Sequence, residues 1–472
     1  MLKYLFVLVL MLTNLTSICL ADNPVFTEPF EVSQPVESTA DQRIEQWDML
    51  DNSPYSIKAD AHAWTITSGD PQVYIGVIDA GSCPENPSLQ NSFVGGYDFV
   101  SHTSDPRVKN GNQHGCGVAG VIAGHRNATT GNTYEGVAPK IKIVALNVFG
   151  TKNSADLATI AEAIEWAIGN PVSGYPSNPH PVKAISMSLG TELTGGAEQS
   201  CTSPEAQLAQ NALNDAYEKN IPVFVSGGNE AFDANRRVFP RCEHVIAIAA
   251  TTEQGTKTSY TNFGDAIALA APGGEGNKFY LATSGDGYVM GGYTSFAAPH
   301  VTGVAALLLS LPTHPKTVDE MATLLEATTQ HFATVPNPEI GSGIVDAYQA
   351  LRAVEARKSI GIGKIITSQD LELNSASCAT EQVIPMKAII SDTLSNHIRI
   401  TWHHQASRCV PESEYTVQYV VLNNEQKTIS IFFGGDKNNP VGIYTTTWPT
   451  DYRCVLIDKH HKFGCLQLQK QS

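Results

Sequence analysis

The chain has 472 residues, two to three times the size of a typical single domain, so one large domain and one small one are expected. With 42% hydrophobic and 16% charged residues, 38 Gly and 26 Pro, its composition is that of a loop-rich globular protein, which excludes a disordered chain, a coiled coil and a small disulfide knot. A formal net charge of −16 would repel a phosphate backbone, and nucleic acid is not expected as a partner.

The first apolar run lies at the amino terminus. Lys3 precedes an apolar stretch from Tyr4 to Leu12, and Cys19-Leu20-Ala21 places small residues before a cut at Asp22. This is the pattern of a cleaved secretory signal, residues 1–21, and the run is short for a membrane anchor. No later segment is predicted to span a bilayer, so no stable membrane insertion is expected. Residues 22–40 are polar, contain Pro24, Pro29 and Pro35, and read as an extended leader or propeptide tail. About 20 residues are too few to fold alone, so no cis prodomain is expected to be needed for folding.

From residue 41 to about 356, strand-like and helix-like patterns alternate. Apolar, β-branched runs occur at 73–78, 141–149, 184–189, 221–225 and 244–250, with amphipathic helical patterns at 154–168 and 204–219. Short apolar strands separated by helices predict an α/β domain with a mainly parallel central sheet covered on both faces. The last long helix is expected to begin at Ser295, to be apolar nearly all round and therefore buried, and to end before Pro312.

After residue 357 the pattern changes. HIRITW (397–402), EYTVQYVVL (414–422) and KTISIFF (427–433) alternate apolar and polar residues between turn-forming stretches, which predicts a small all-β, sandwich-like domain over 357–472. YTVQY (415–419) loosely resembles fibronectin type III or another immunoglobulin-like sandwich. Trp402, Tyr419, Trp448 and Tyr452 are read as buried sandwich aromatics rather than a ligand face, and the domain's ligand is not legible. His403-His404 and His460-His461 are adjacent, so each pair points to opposite faces of a strand and makes a poor metal clamp.

Without Cys19, eight cysteines remain: Cys83, Cys116, Cys201 and Cys242, then Cys378, Cys409, Cys454 and Cys465. Four in each part fit disulfides formed within each part in an oxidising compartment, with three connectivities open to each set. None has the spacing of a zinc site.

Three reactive side chains stand at element boundaries. Asp79 ends the run VYIGVID, His114 opens HGCGVAGVIAG, and Ser295 lies in GGYTSFAAPHV at the start of the apolar helix. Each alone is an ordinary turn, structural or capping residue. Their order and flanking residues together resemble the subtilisin-like serine protease family, whose motifs read approximately Asp-Thr/Ser-Gly, His-Gly-Thr-His-Val-Ala-Gly and Gly-Thr-Ser-Met-Ala-x-Pro-His-Val. SLG at 188–190 and SGGNE at 226–230 match two further motifs of that family, and the resemblance covers residues 41–356.

The resemblance implies a secreted serine endopeptidase acting on protein or peptide substrates, expected to be a monomer. Ser295 would be the nucleophile, His114 the base and Asp79 the acid that orients it. Asn229 would donate to the oxyanion with the backbone N–H of Ser295. Ser188, Leu189 and Gly190 would offer a strand edge to the substrate backbone, and Gly227 and Gly228 would line the pocket for its side chain. The absence of acidic residues there favours large or apolar side chains over basic ones. No cofactor is required for the chemistry.

The chain departs from the family at several places. Tyr293 stands where glycine usually precedes Thr-Ser, and a positive φ there would strain the nucleophile's turn. That departure carries the alternative reading, a catalytically impaired binding or adhesion protein acting through the β-domain. A third reading uses the same residues for peptide ligation. Cys116 and Gly117 replace the usual Thr-His, and a Cys116–Cys83 bridge would tie the acid and base loops. In the segment Asn86-Pro87-Ser88-Leu89, Ser88 replaces a carboxylate of the family's calcium site, which weakens the case for structural calcium even beside the loop HRNATTG (125–131).

Overall fold

The computed structural model describes residues 46–49, 53–109, 111–126, 134–152, 154–190, 201, 206–276, 279–282 and 288–359, and beyond these only strand backbones. The signal and leader lie outside the described residues.

In chain order the main domain runs β1 (Tyr74–Asp79), β2 (Phe93–Asp98), α1 (His114–Ala123), β3 (Lys142–Asn147), α2 (Leu157–Ala167), β4 (Ala184–Met187), α3 (Gln207–Glu218), β5 (Val223–Ser226), α4 (Val238–Arg241), β6 (Val245–Thr251), β7 (Ile267–Pro272), β8 (Phe279–Ala282), β9 (Tyr288–Gly291), α5 (Thr294–Leu309), α6 (Val318–Ala327) and α7 (Ala347–Ser359). The first seven strands form one sheet in the order β2-β3-β1-β4-β5-β6-β7, and every neighbouring pair is parallel. Strands β8 and β9 form a separate antiparallel pair.

The five apolar runs read from the sequence are five of these strands, and both helical patterns are helices. Strands β2, β7, β8 and β9 and helices α4, α6 and α7 fall outside those patterns, and the helix starting near Ser295 is not the last long one. Among the described segments beyond Ser359, strands at His397–His404, Val417–Asn423 and Thr428–Asp436 coincide with the alternating runs, and they pair with their neighbours antiparallel.

Two hydrophobic clusters flank the sheet. Ile75 and Val77 pack with α1, α5, α6 and α7 on one face, whereas Ile78, Leu146 and Ile185 pack with α2 and α3 on the other. The alternation within β1 is the period of two expected of a strand buried on both faces. Helix α5 is buried from Thr294 through Leu308, which explains why it has no polar face.

Asp346 immediately precedes α7, and its Oδ1 accepts the N–H of Gln349 at 2.8 Å. Burial pushes its carboxyl up to about 6, outweighing the lowering effects of the backbone donors, Lys58 and His62. Its folded pKa lies above the unfolded value, so stability falls as pH rises from about 4 to 6 and stays lower above that window. Asp346→Asn keeps a capping acceptor and should remove this loss, raising stability at pH 7 by about 2–3 kcal/mol while leaving pH 4 nearly unchanged. Urea unfolding at the two pH values, in a Ser295→Ala background to prevent self-digestion, measures it. Equal denaturation midpoints for both proteins at pH 7 would contradict the prediction.

Candidate active site

The site residues gather at the carboxyl-terminal end of the central strands of the parallel sheet. The chain leaves β1 toward β2 and leaves the adjacent β4 toward β5, so the carboxyl ends of β1 and β4 meet where the winding reverses, the usual position of a crevice in open α/β sheets. Asp79 is the last residue of β1, Ser188 follows β4, and Asn229 lies in the loop after β5.

Asp79 is 1% exposed and His114 4% exposed. His114 Nδ1 lies 2.9 Å from both carboxylate oxygens of Asp79, while Asp79 Oδ1 also accepts the N–H of Ala80 at 2.7 Å. A carboxylate facing Nδ1 places the proton there and leaves Nε2 as the basic nitrogen. Helix α1 approaches this closely because its second residue is Gly115. A Cβ there would lie 2.6 Å from the Gly81 carbonyl oxygen and 3.1 Å from Asp79 Cβ.

The bridge expected between Cys83 and Cys116 is present, with Cα atoms 5.5 Å apart, and it joins the loop after Asp79 to the helix that begins with His114. A second bridge pairs Cys201 with Cys242. Cys378 and Cys409 lie outside the described residues.

Ser295 is the second residue of α5 and 2% exposed. The ring of Phe296, its neighbour, sits 5.4 Å from the His114 imidazole, so the first turn of α5 lies against His114. Four residues beyond Ser295 is Pro299, inside the helix. Proline has no N–H, so the Ser295 carbonyl lacks its normal helical donor. Ser188 replaces it, with Oγ donating to the Ser295 carbonyl at 2.6 Å. The Ser188 side chain thus fixes the backbone of Ser295, a task that sequence reasoning did not assign to it.

Asn229 is held by the residue before Ser295. Its Oδ1 accepts the N–H of Thr294 at 3.0 Å and the Thr294 hydroxyl at 2.7 Å. With the carbonyl end fixed, the donor end of the amide is fixed too. The loop itself hangs on buried Asn262. Asn262 Oδ1 accepts from the N–H groups of Glu230 (3.0 Å) and Phe232 (3.2 Å), while Nδ2 donates to the Gly227 carbonyl (3.0 Å) and Glu230 Oε2 (2.8 Å). Gly228 has φ +100°, and a Cβ there would lie 2.2 Å from Asn262 Nδ2, so this close approach requires glycine irrespective of any pocket. Arg237 closes the network through an ion pair with Glu230. Asn229→Ala should lower kcat by about 10²–10³ with little change in KM, the signature of a donor used mainly in the transition state. Steady-state kinetics on a peptide amide decide the matter, and a parental kcat would refute it.

Tyr293 has φ +83° and ψ 170°, a region populated almost only by glycine and costing other residues about 1–3 kcal/mol. The departure noted in the sequence therefore falls on a position of real backbone strain.

The family's calcium position fits poorly here. Ser88 is fully buried, and its hydroxyl lies 2.6 Å from the Tyr288 hydroxyl, a pairing of neutral groups where calcium would seek a carboxylate. Among the described residues no cluster of three or more His, Cys, Asp or Glu is placed to hold a metal. Residues 127–133 of the neighbouring loop lie outside the described residues.

The profile of the Subtilase family (Peptidase S8) matches residues 70–350. The sequence is 34% identical to an extracellular protease of Xanthomonas campestris pv. campestris, over 68% of this chain and 59% of that protein. It is 30% identical to thermitase of Thermoactinomyces vulgaris, over 63% of this chain and 95% of that one. A solved protease structure from Pseudoalteromonas arctica matches with a TM-score of 0.57 at 30% identity, over 66% of this chain and 97% of that one. The chain belongs to the subtilase family, and its α/β domain has the subtilisin-like fold. It spans 59% of the length of the Xanthomonas relative.

Proposed function

We propose that the protein is a secreted serine endopeptidase that hydrolyses protein or peptide substrates through an acyl-enzyme. The observation that carries this reading is the buried Asp79–His114 pair beside the first turn of α5, with Asn229 bonded to the residue preceding Ser295.

His114 Nε2 takes the proton of Ser295 Oγ as that oxygen attacks the substrate carbonyl, and Asp79 stabilises the imidazolium so formed. Negative charge develops on the carbonyl oxygen, where the Asn229 amide and the Ser295 N–H donate. First-turn N–H groups have no intrahelical acceptor, and the helix dipole adds positive potential. Collapse breaks the C–N bond while His114 returns the proton to the leaving amine. Water, deprotonated by His114, then attacks the ester, and the proton goes back to Ser295 as the acid leaves.

The backbone of Ser188, Leu189 and Gly190 is assigned to binding substrate as an added strand, and Gly227 and Gly228 to the pocket wall. Residues 1–21 are assigned as a signal, 22–40 as leader, 41–356 as the peptidase domain, and 357–472 as a β-rich domain of unassigned ligand. The extracellular relatives support export, and the enzyme is assigned as a monomer.

A fluorophosphonate probe tests the reading. Stoichiometric labelling should map by peptide mass to Ser295 and abolish hydrolysis of a denatured protein substrate. Absence of labelling in folded protein would instead favour the impaired binding protein, and a product joined to an added amine would favour ligation.

A further inference from the structure

The strained Tyr293 does not stand alone. Its N–H points between two acceptors, the Gly273 carbonyl at 2.9 Å and the Tyr260 hydroxyl oxygen at 3.2 Å. The same Tyr260 hydroxyl donates to the Gly274 carbonyl at 2.7 Å, so one phenol bridges the nucleophile's turn and the segment after β7. The two tyrosine rings lie 4.9 Å apart in a tilted pair. Tyr260 also reaches the other half of the site, since its backbone carbonyl accepts the N–H of Ala231, two residues after Asn229, at 2.7 Å. Its base is anchored in turn, because Ser259 bonds to Glu275 through both its N–H and its hydroxyl. Burial pushes the Tyr260 phenol well up, so it remains a proton donor at any pH where the base works.

From this arrangement we infer that Tyr260 is a positioning residue for the nucleophile, holding Tyr293 in its unfavourable backbone conformation and so keeping Ser295 in register with Asn229. Glycine at 293 would adopt the same φ without support. Tyrosine needs an external hold, which Tyr260 supplies by a hydrogen bond to the strained N–H and by ring contact worth more than its area alone. The inference rests on Ser295 acting as nucleophile, and its test separates the two.

The test compares the full chain with Y260F, Y293G, Y293A and the double variant Y260F/Y293G. Y260F removes one hydroxyl and keeps the ring, so kcat should fall by about 3–10-fold, the worth of one hydrogen bond, with KM nearly unchanged. In the Y293G background the same Y260F change should have little effect, because the strain it counters is gone. Y293A keeps the strain and loses the ring, and its kcat should lie below both the parent and Y293G, an order that side-chain size alone does not give. Thermal unfolding runs the same cycle without chemistry: Y260F should lower Tm by about 2 °C in the parent and by less in Y293G. A Y260F kcat and Tm equal to the parent's would overturn the inference, as would equal losses in the two backgrounds. If instead Ser295→Ala retains turnover, the nucleophile assignment fails while the Tm cycle still decides the brace.

Discussion

Ser295→Ala, His114→Ala and the double variant should all fall to the same floor, about 10⁵–10⁶ below the parent in kcat, because the two residues act as one proton-transfer unit. Without the alcohol there is no acyl acceptor. Without the imidazole the serine proton has nowhere to go, since Asp79 lies behind the ring on its Nδ1 side. Once either is lost, removing the other takes away nothing still in use. The residual rate should come from the Asn229 amide and from substrate binding, so adding Asn229→Ala should lower it further. Kinetics at saturating substrate, with enzyme concentration set by absorbance, decide the case. Single losses that multiply in the double variant would show two independent contributions and dismantle the proposed relay.

The second large effect is expected at Asp79→Asn, a change of nearly constant volume at a fully packed position. Asparagine can turn an NH₂ toward Nδ1, which drives the ring proton to Nε2 and presents a donor to Ser295 where an acceptor is required. It also removes the negative charge that stabilises the imidazolium. A fall of about 10⁴ in kcat is expected with the fold intact. An unchanged denaturation midpoint beside that loss would assign it to tautomer and charge. Near-parental turnover would mean that the carboxylate does not orient the base.

The sequence revealed the parts of this molecule that act locally. Strands β1, β3, β4, β5 and β6 are legible because each is a short apolar run. Strand β2 reads FVGGYD, with two central glycines and a partly exposed pattern, so neither apolarity nor alternation marks it. The six residues of β7, IALAAP, include three alanines and end in proline, and only the neighbouring β6 makes them a strand. Helix α6 carries a local signal in its start: Thr317 caps it by accepting the N–H of Glu320, and acidic residues fill its first turn.

The candidate site residues stand out in the sequence because Asp79, His114 and Ser295 sit at element ends and Asn229 in the loop after β5, each beside telling neighbours. The residues that hold them do not. Ser188 and Ser295 are 107 positions apart, and their bond matters only because Pro299, four residues after Ser295, deprives a carbonyl of its donor. No motif in the sequence marks Asn262, yet in the fold it makes four side-chain bonds to the loop that carries Asn229. Such tasks arise from contacts between distant segments, and no local pattern encodes them.

The Cys83–Cys116 bridge spans 33 positions of chain, among them the exposed stretch 101–104. A protease at working concentration is surrounded by copies of itself, and an exposed stretch like this one invites nicking. A cut there leaves Asp79 on one fragment and His114 on the other, yet the two fragments remain one covalent molecule. The sulfur link would make the proposed endopeptidase tolerant of its own bite at a place where an unlinked chain would be free to come apart.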